Sequence, residues 1–162
     1  VSPDFTGVHS SYQTLRAHSF AMALGGLYKN DPTVFKADIV DNIERGLNLT
    51  AADIVQAELT RGVLRARMEV FFDDYDLLLC PTSIVPPFPV EQVYVTSCNG
   101  VEFSNYIDWL AIVYAITLVS LPALSLPCGY TESGMPVGLQ MICRHRGDAD
   151  LLSYALSLQD QL

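Results

Sequence analysis

Leu118-Val119-Ser120-Leu121-Pro122-Ala123-Leu124-Ser125-Leu126-Pro127-Cys128-Gly129 closes a longer tract, Trp109 to Tyr130, that contains no charged residue. A tract of that length is about what a bilayer-spanning helix needs. Pro122 and Pro127 argue against such a helix, because each removes a backbone donor and its ring clashes with the preceding turn. Thr117, Ser120 and Ser125 add polar groups to the same tract. The stretch therefore reads as a buried helix followed by a buried strand, with no membrane partner.

Downstream, Ala123 to Cys128 and Val137 to Cys143 read as two strands joined by the turn Thr131-Glu132-Ser133-Gly134. Upstream, the unbroken apolar run Leu77-Leu78-Leu79-Cys80, bounded by Asp76 and Pro81, suits a strand buried on both faces. Pro81 to Pro89 holds four prolines and reads as an irregular loop. Phe103 to about Ile116 reads as an apolar helix. Asp148 can cap a last helix, with Leu151, Ala155, Leu158 and Leu162 on one face.

The first half is helical in pattern. Ser10 to Leu27 forms one helix, with Leu15, Phe20, Met22 and Leu24 as its apolar content and Gly25-Gly26 loosening its end. Asp31-Pro32 opens a second helix that stops at Gly46. Thr50 and Asp53 form a capping-box variant at the start of a third. Along it, Val55, Leu59, Val63, Ala66 and Val70 fall at helical spacing and predict a stripe facing the core. Asp73, Asp74 and Asp76 oppose the helix dipole and favour ending the helix there. A metal site is the competing reading of these carboxylates, and the helix-end reading is preferred.

These elements give an α/β class, with mixed sheet strands and flanking helices. The chain reads as a single partial domain over residues 1–162, helical over 1–75 and α/β over 76–162. Half of the residues are apolar, 17% are charged and the net charge is −9. With nine basic residues, the densest group (Arg61, Arg65 and Arg67) interleaved with Glu58 and Glu69, there is no nucleic-acid surface. Cys80, Cys98, Cys128 and Cys143 are widely spaced, which suits buried free thiols in a reducing, cytoplasmic setting. The opening Val1-Ser2-Pro3-Asp4 is neither a signal peptide nor an initiator methionine, so the chain is expected to derive from something longer.

Four segments together resemble the amidase-signature family of amide hydrolases. Phe72-Asp73-Asp74-Tyr75-Asp76-Leu77-Leu78-Leu79-Cys80-Pro81-Thr82 is similar to the family's F-x-x-Y-D-x-L-L-x-P-T segment. Leu118 to Gly129 is similar to L-x-G-x-P-A-x-S-x-P-x-G, and Gly134-Met135-Pro136-Val137-Gly138-Leu139-Gln140 to G-x-P-x-G-L-Q. Asp148 to Ala155 fits the closing D-x-x-L-L-x-x-A helix. Their order and spacing agree over roughly residues 45–160. One departure is Thr117-Leu118-Val119-Ser120, where the family often has Asn-Leu-x-Gly; losing that glycine narrows the backbone's allowed conformations.

The resemblance implies the C-terminal part of the amidase-signature fold. It further implies a small-molecule amide substrate and a Ser–cis-Ser–Lys triad with backbone donors for the oxyanion, carried N-terminal to the matched segments. Lys29 and Lys36, the two lysines, both lie in the helical half, and no Gly-Ser-Ser-Gly-Gly run occurs. Ser10-Ser11 lacks flanking glycines, and no G-x-S-x-G elbow accompanies His9, His18 or His145. His145, between Arg144 and Arg146, reads as a solvated loop residue. No catalytic residue is therefore assigned here, and the chain alone is expected to be inactive.

Its expected contribution is sheet scaffold and one wall of the substrate pocket. Pro81, Thr82 and Ser83 qualify because α/β sheets place ligands at strand ends. Asp108, Trp109 and Tyr114 qualify from the helix before the second strand. Asp108 could read a substrate amine or amide, or simply occupy an exposed first turn. No phosphate loop or dinucleotide fingerprint is present, so no cofactor is expected. The partners expected are the substrate, a missing N-terminal catalytic half, and further copies of the chain through apolar surface that such a half would leave exposed. The competing reading is a non-catalytic binding or assembly module built on the same fold.

Overall fold

The computed structural model describes residues 1–159 and 161. It divides into two compact units, one of residues 4–65 and one of residues 1–3 with 66–162.

The unit of residues 4–65 is helical. Helix α1, Val8–Asn30, is longer than expected at both ends. It does not loosen at Gly25-Gly26, because Gly25 is a packing position: an added Cβ there would meet Leu47 at 3.5 Å. Its buried residues are small or polar (Ser11, Gln13, Ala17 and Gly25), while Met22 is exposed. Asp31 ends the helix and caps a 3-10 turn, Pro32–Val34, through a 2.9 Å bond from the Thr33 N–H. The predicted Asp31-Pro32 start thus opens only that turn. Helix α2, Ala37–Leu47, begins later and runs past Gly46.

Gly46 does not stop α2; it lets α2 approach α1. A Cβ at Gly46 would lie 2.0 Å from the Ala17 carbonyl oxygen, which no side chain can occupy. Tyr28 Oη donates to the Glu44 carboxylate across the same helix pair.

Helix α3, Ala51–Asp74, starts as the sequence predicts. The Thr50 N–H and hydroxyl donate to Asp53 Oδ2 at 2.8 and 2.7 Å, and the Asp53 N–H donates back to Thr50 Oγ1 at 3.2 Å. The buried Ser11 hydroxyl donates to the Ala57 carbonyl at 2.8 Å, tying α1 to the first half of α3. The predicted core stripe is a correction. Val55, Leu59, Val63 and Val70 are 52–67% exposed, and Ala57, Leu64 and Met68 are the buried set. Positions 57, 64 and 68 also recur at helical spacing, so the sequence offers two apolar faces and regularity alone selected the wrong one.

The unit of residues 66–162 holds the sheet. Strands β1 (Leu78–Pro81), β4 (Ala123–Tyr130) and β5 (Pro136–Ile142) pair antiparallel in the order β1-β5-β4. Leu79, at an edge of this three-stranded sheet, is 48% exposed, so β1 is not buried on both faces as expected. Pro81 fits an edge strand because it has no N–H to donate. A small hairpin, β2 (Ser97–Cys98) with β3 (Val101–Glu102), turns at Asn99-Gly100 with φ of 49° and 76°. The helix expected over 103–116 is shorter: a 3-10 turn, Asp108–Leu110, precedes α4, Ala111–Leu118.

Register sorts the sheet's side chains between its faces. Leu124 pairs with Met141 and Leu126 with Leu139, and these residues share a face. That face packs on helix α5, Asp148–Gln159, through Leu151 and Ala155, with Leu158 alongside. Leu162, placed on the same face from sequence, lies outside the described residues. On the other face, Cys80 and Ser125 flank Gln140, and Pro127 pairs with Gly138. Among the described residues, no helix is long and apolar enough to cross a membrane.

Candidate functional site

The second face of the sheet carries both α4 and an open hollow of about 720 Å³. Buried Gln140 fixes α4 there: its Nε2 donates to the Ile112 carbonyl at 3.3 Å and approaches Cys80 Sγ at 3.1 Å. One residue pair along, Gly138 leaves room that no side chain could share. A Cβ at Gly138 would meet Ser125 Oγ at 2.5 Å and Thr82 Oγ1 at 2.8 Å. Into that space the two hydroxyls converge, 2.8 Å apart. The Thr82 N–H donates to the Gly138 carbonyl at 3.0 Å, which fixes Thr82 just beyond the end of β1.

The rest of the wall is the proline-rich loop of residues 82–88, Trp109, and Pro127, Thr131, Pro136 and Val137 from the sheet and its turn. The loop braces itself: Ser83 Oγ donates to the Val85 carbonyl at 2.8 Å and accepts from the Val85 N–H at 3.3 Å. Phe88 meets Trp109 edge-on, with ring centroids 5.8 Å apart and planes at 76°, a favoured aromatic geometry. The Trp109 indole Nε1 is buried with no hydrogen-bond partner, so this residue offers the hollow an apolar ring and not a donor. None of the 14 lining residues carries an ionisable side chain. The hollow can therefore bind and orient a ligand but supplies no general base or acid.

Three of the six residues singled out from sequence, Thr82, Ser83 and Trp109, line this hollow together. The other three do not. Pro81 is exposed in β1 and pairs with Leu139. Tyr114 is 3% exposed within α4. Asp108 is half-buried, and its Oδ2 accepts from the Ser104 N–H at 2.9 Å and the Ser104 hydroxyl at 2.6 Å, so this oxygen closes the turn before α4. His145 is half-buried as well, with Nδ1 3.2 Å from the Ser120 carbonyl. Since a carbonyl only accepts, that nitrogen carries the proton. The loop reading of His145 stands, but the residue is anchored rather than solvated.

Sequence reasoning missed Ser125, Gly138 and Phe88. Strand parity could have found the first two: once the strands pair, Ser125, Gly138 and Thr82 must share a face. Phe88 gave no signal beyond its place in a proline-rich loop.

Residues 12–152 match the family described as Amidase. The chain belongs to the amidase family. This amidase chain is 32% identical over 122 residues to an acylamidase of Rhodococcus erythropolis, covering 75% of the chain and 25% of that relative. It is 36% identical over 105 residues to a glutamyl-tRNA(Gln) amidotransferase polypeptide of Moorella thermoacetica, covering 65% of the chain and 20% of that relative. Among solved structures, a crystal structure of an amidase superposes with TM-score 0.90 at 26% identity, over 100% of this chain and 37% of that one. A 6-aminohexanoate cyclic dimer hydrolase shares the fold with TM-score 0.75 at 20% identity, over 98% of this chain and 35% of that one. The chain spans about a quarter of the length of the first of these relatives.

Proposed function

We propose that this chain is the C-terminal part of an amidase that hydrolyses carbon–nitrogen amide bonds, supplying sheet scaffold and one wall of the substrate pocket. The Ser–cis-Ser–Lys machinery is supplied by sequence outside these 162 residues. The observation that carries this reading is the hollow itself. It is shaped to hold a ligand beside a hydroxyl pair, yet no lining residue has a side chain that ionises near neutral pH. Lys29 and Lys36 add support, since both are exposed in the helical unit.

In this reading Thr82, Ser83 and Trp109 meet the substrate. Pro81, Asp108 and Tyr114 act behind them, setting the strand end, the turn and the helix that hold the wall. Cys143 supports a reducing, cytoplasmic setting: it is free and buried, and burial pushes its thiol pKa up, so it stays protonated. The exposed Val55, Leu59 and Val63 favour a second reading, a non-catalytic module that pairs with another chain.

A fluorophosphonate, which loses fluoride to an activated serine, separates these from an autonomous hydrolase. The purified chain is expected to keep its intact mass. A stoichiometric adduct would show a competent nucleophile within the 162 residues and overturn the proposal. Light scattering then decides between the two readings, with a sharp-melting stable monomer favouring an independent module over an incomplete one.

A further inference from the structure

The β2–β3 hairpin turns on Asn99-Gly100, a carboxamide followed by a backbone nitrogen that no side chain shields. We propose that Asn99 is a site of spontaneous backbone modification, in which the Gly100 nitrogen attacks the Asn99 carboxamide when the hairpin opens. The isoaspartate left behind then keeps the hairpin open and loosens the proline-rich wall beside it.

Asn99 and Gly100 take φ of 49° and 76°, the two positive angles of a type I′ turn. In such a turn the first residue has ψ of about +30°, which rotates the next nitrogen roughly 150° away from that residue's Cβ. The closed turn therefore holds the Gly100 nitrogen away from Asn99 Cγ. Attack requires ψ to swing until the two face each other, so it requires the hairpin to open. Little opposes that opening. The strands pair at Ser97↔Glu102 and Cys98↔Val101, and the Phe103 N–H donates to the Thr96 carbonyl at 2.8 Å. A two-stranded ribbon of this size is marginal by itself, and such elements open locally at low cost. Asn99 and Gly100 are both exposed, and nothing lies within 4 Å of where a Cβ on Gly100 would sit, so water reaches the turn.

Water is the co-reactant. Hydroxide removes the Gly100 amide proton, the nitrogen bonds to Asn99 Cγ, and ammonia leaves to give a five-membered imide. Water then opens the ring. Opening at Cγ leaves an aspartate with an ordinary backbone. Opening at the main-chain carbonyl leaves an isoaspartate, whose backbone runs through Cβ and Cγ and is one methylene longer. The aspartate can re-form the turn, since Asp-Gly suits type I′. The isoaspartate cannot, because a two-residue loop between paired strands has no room for another backbone atom. Beside the turn, the Cys98 thiol donates to the Ile84 carbonyl at 3.6 Å, and Ile84 lines the hollow. Opening the hairpin withdraws that thiol, and with it one tie on the loop of residues 82–88.

Warm incubation of the full chain at mildly alkaline pH, where the amide proton leaves more readily, tests this. Isoaspartate is read with an isoaspartyl methyltransferase and a labelled methyl donor, followed by peptide mapping. Label is expected to accumulate at residue 99, and faster in urea, where the turn no longer holds the nitrogen away. Asn99→Gly keeps a turn-compatible Gly-Gly pair and should take up no label there. In labelled chains iodoacetamide should alkylate Cys98 several-fold faster than in fresh chains. Fresh Asn99→Asp, which adds the charge without the extra methylene, should match the fresh wild type. No label at residue 99 would overturn the modification site, and equal rates with and without urea would overturn its control by the hairpin. Label at residue 99 with Cys98 no more reactive would overturn the effect on the wall.

Discussion

Ser120 adopts φ 58°, a left-handed conformation in which the Cβ of an L residue crowds the following carbonyl. It stands where the resemblance placed a glycine, and the expected tightening of the backbone there takes the form of this angle. The His145 ring holds the strained segment by donating to the Ser120 carbonyl at 3.2 Å. Ser120→Gly should remove the crowding and raise stability by up to about 1 kcal/mol, or about 2–4 °C in Tm for a chain of this size. Urea unfolding measures the change; a loss of stability would mean that the serine hydroxyl contributes more than its backbone costs. The missing glycine was legible from sequence. The histidine contact was not, because 25 residues separate the two partners.

Among the elements, α1 and α2 depend on Gly46. Gly46→Ala would place a methyl group 2.0 Å from the Ala17 oxygen, a backbone atom that cannot rotate away. The helices would have to separate, at a cost of roughly 1–3 kcal/mol or more. Thermal melts followed by circular dichroism should show this loss, whereas Gly26→Ala, open to solvent, should be neutral or mildly stabilising. Helix existence was legible here, but helix ends were not. Gly25 and Gly46 read as breakers from sequence, and only the approach of a neighbouring helix reveals them as packing positions.

The cap of α3 was legible, because Thr50 and Asp53 satisfy backbone and side-chain groups within a few residues of each other. Bonds from the Thr50 hydroxyl, then from its N–H, hold the Asp53 carboxyl below its ordinary pKa of 3.8. A depressed folded-state value means the cap's contribution is complete above that ordinary range. It is lost as pH falls through the folded value. Acid unfolding of the wild type from about pH 5 to 2.5 should therefore lose more stability than Asp53→Asn, whose amide does not titrate. Parallel curves would contradict the capping account.

At the scale of the whole chain, α/β class and family were legible because apolar runs, turns and four ordered motifs are local patterns. The hollow was only partly legible. Thr82 and Ser83 follow the end of a strand and Trp109 lies near the start of a helical segment, features that sequence displays. Their meeting with Ser125 and Gly138 depends on register, which joins residues 43 apart through one hydroxyl contact. The α3 stripe failed for a related reason. Periodicity shows that a helix has an apolar face, and only packing shows which of two faces is covered.

The central claim is that this chain provides a pocket wall without the groups that cleave the amide. Hydrolysis of 4-nitroacetanilide tests it most directly, using the chain alone and the chain mixed with an N-terminal amidase segment carrying the glycine- and serine-rich loop and its lysine. The account predicts 4-nitroaniline release only from the mixture, reduced when Ser125→Ala weakens the wall. Release by the chain alone, above the rate in buffer, would contradict it.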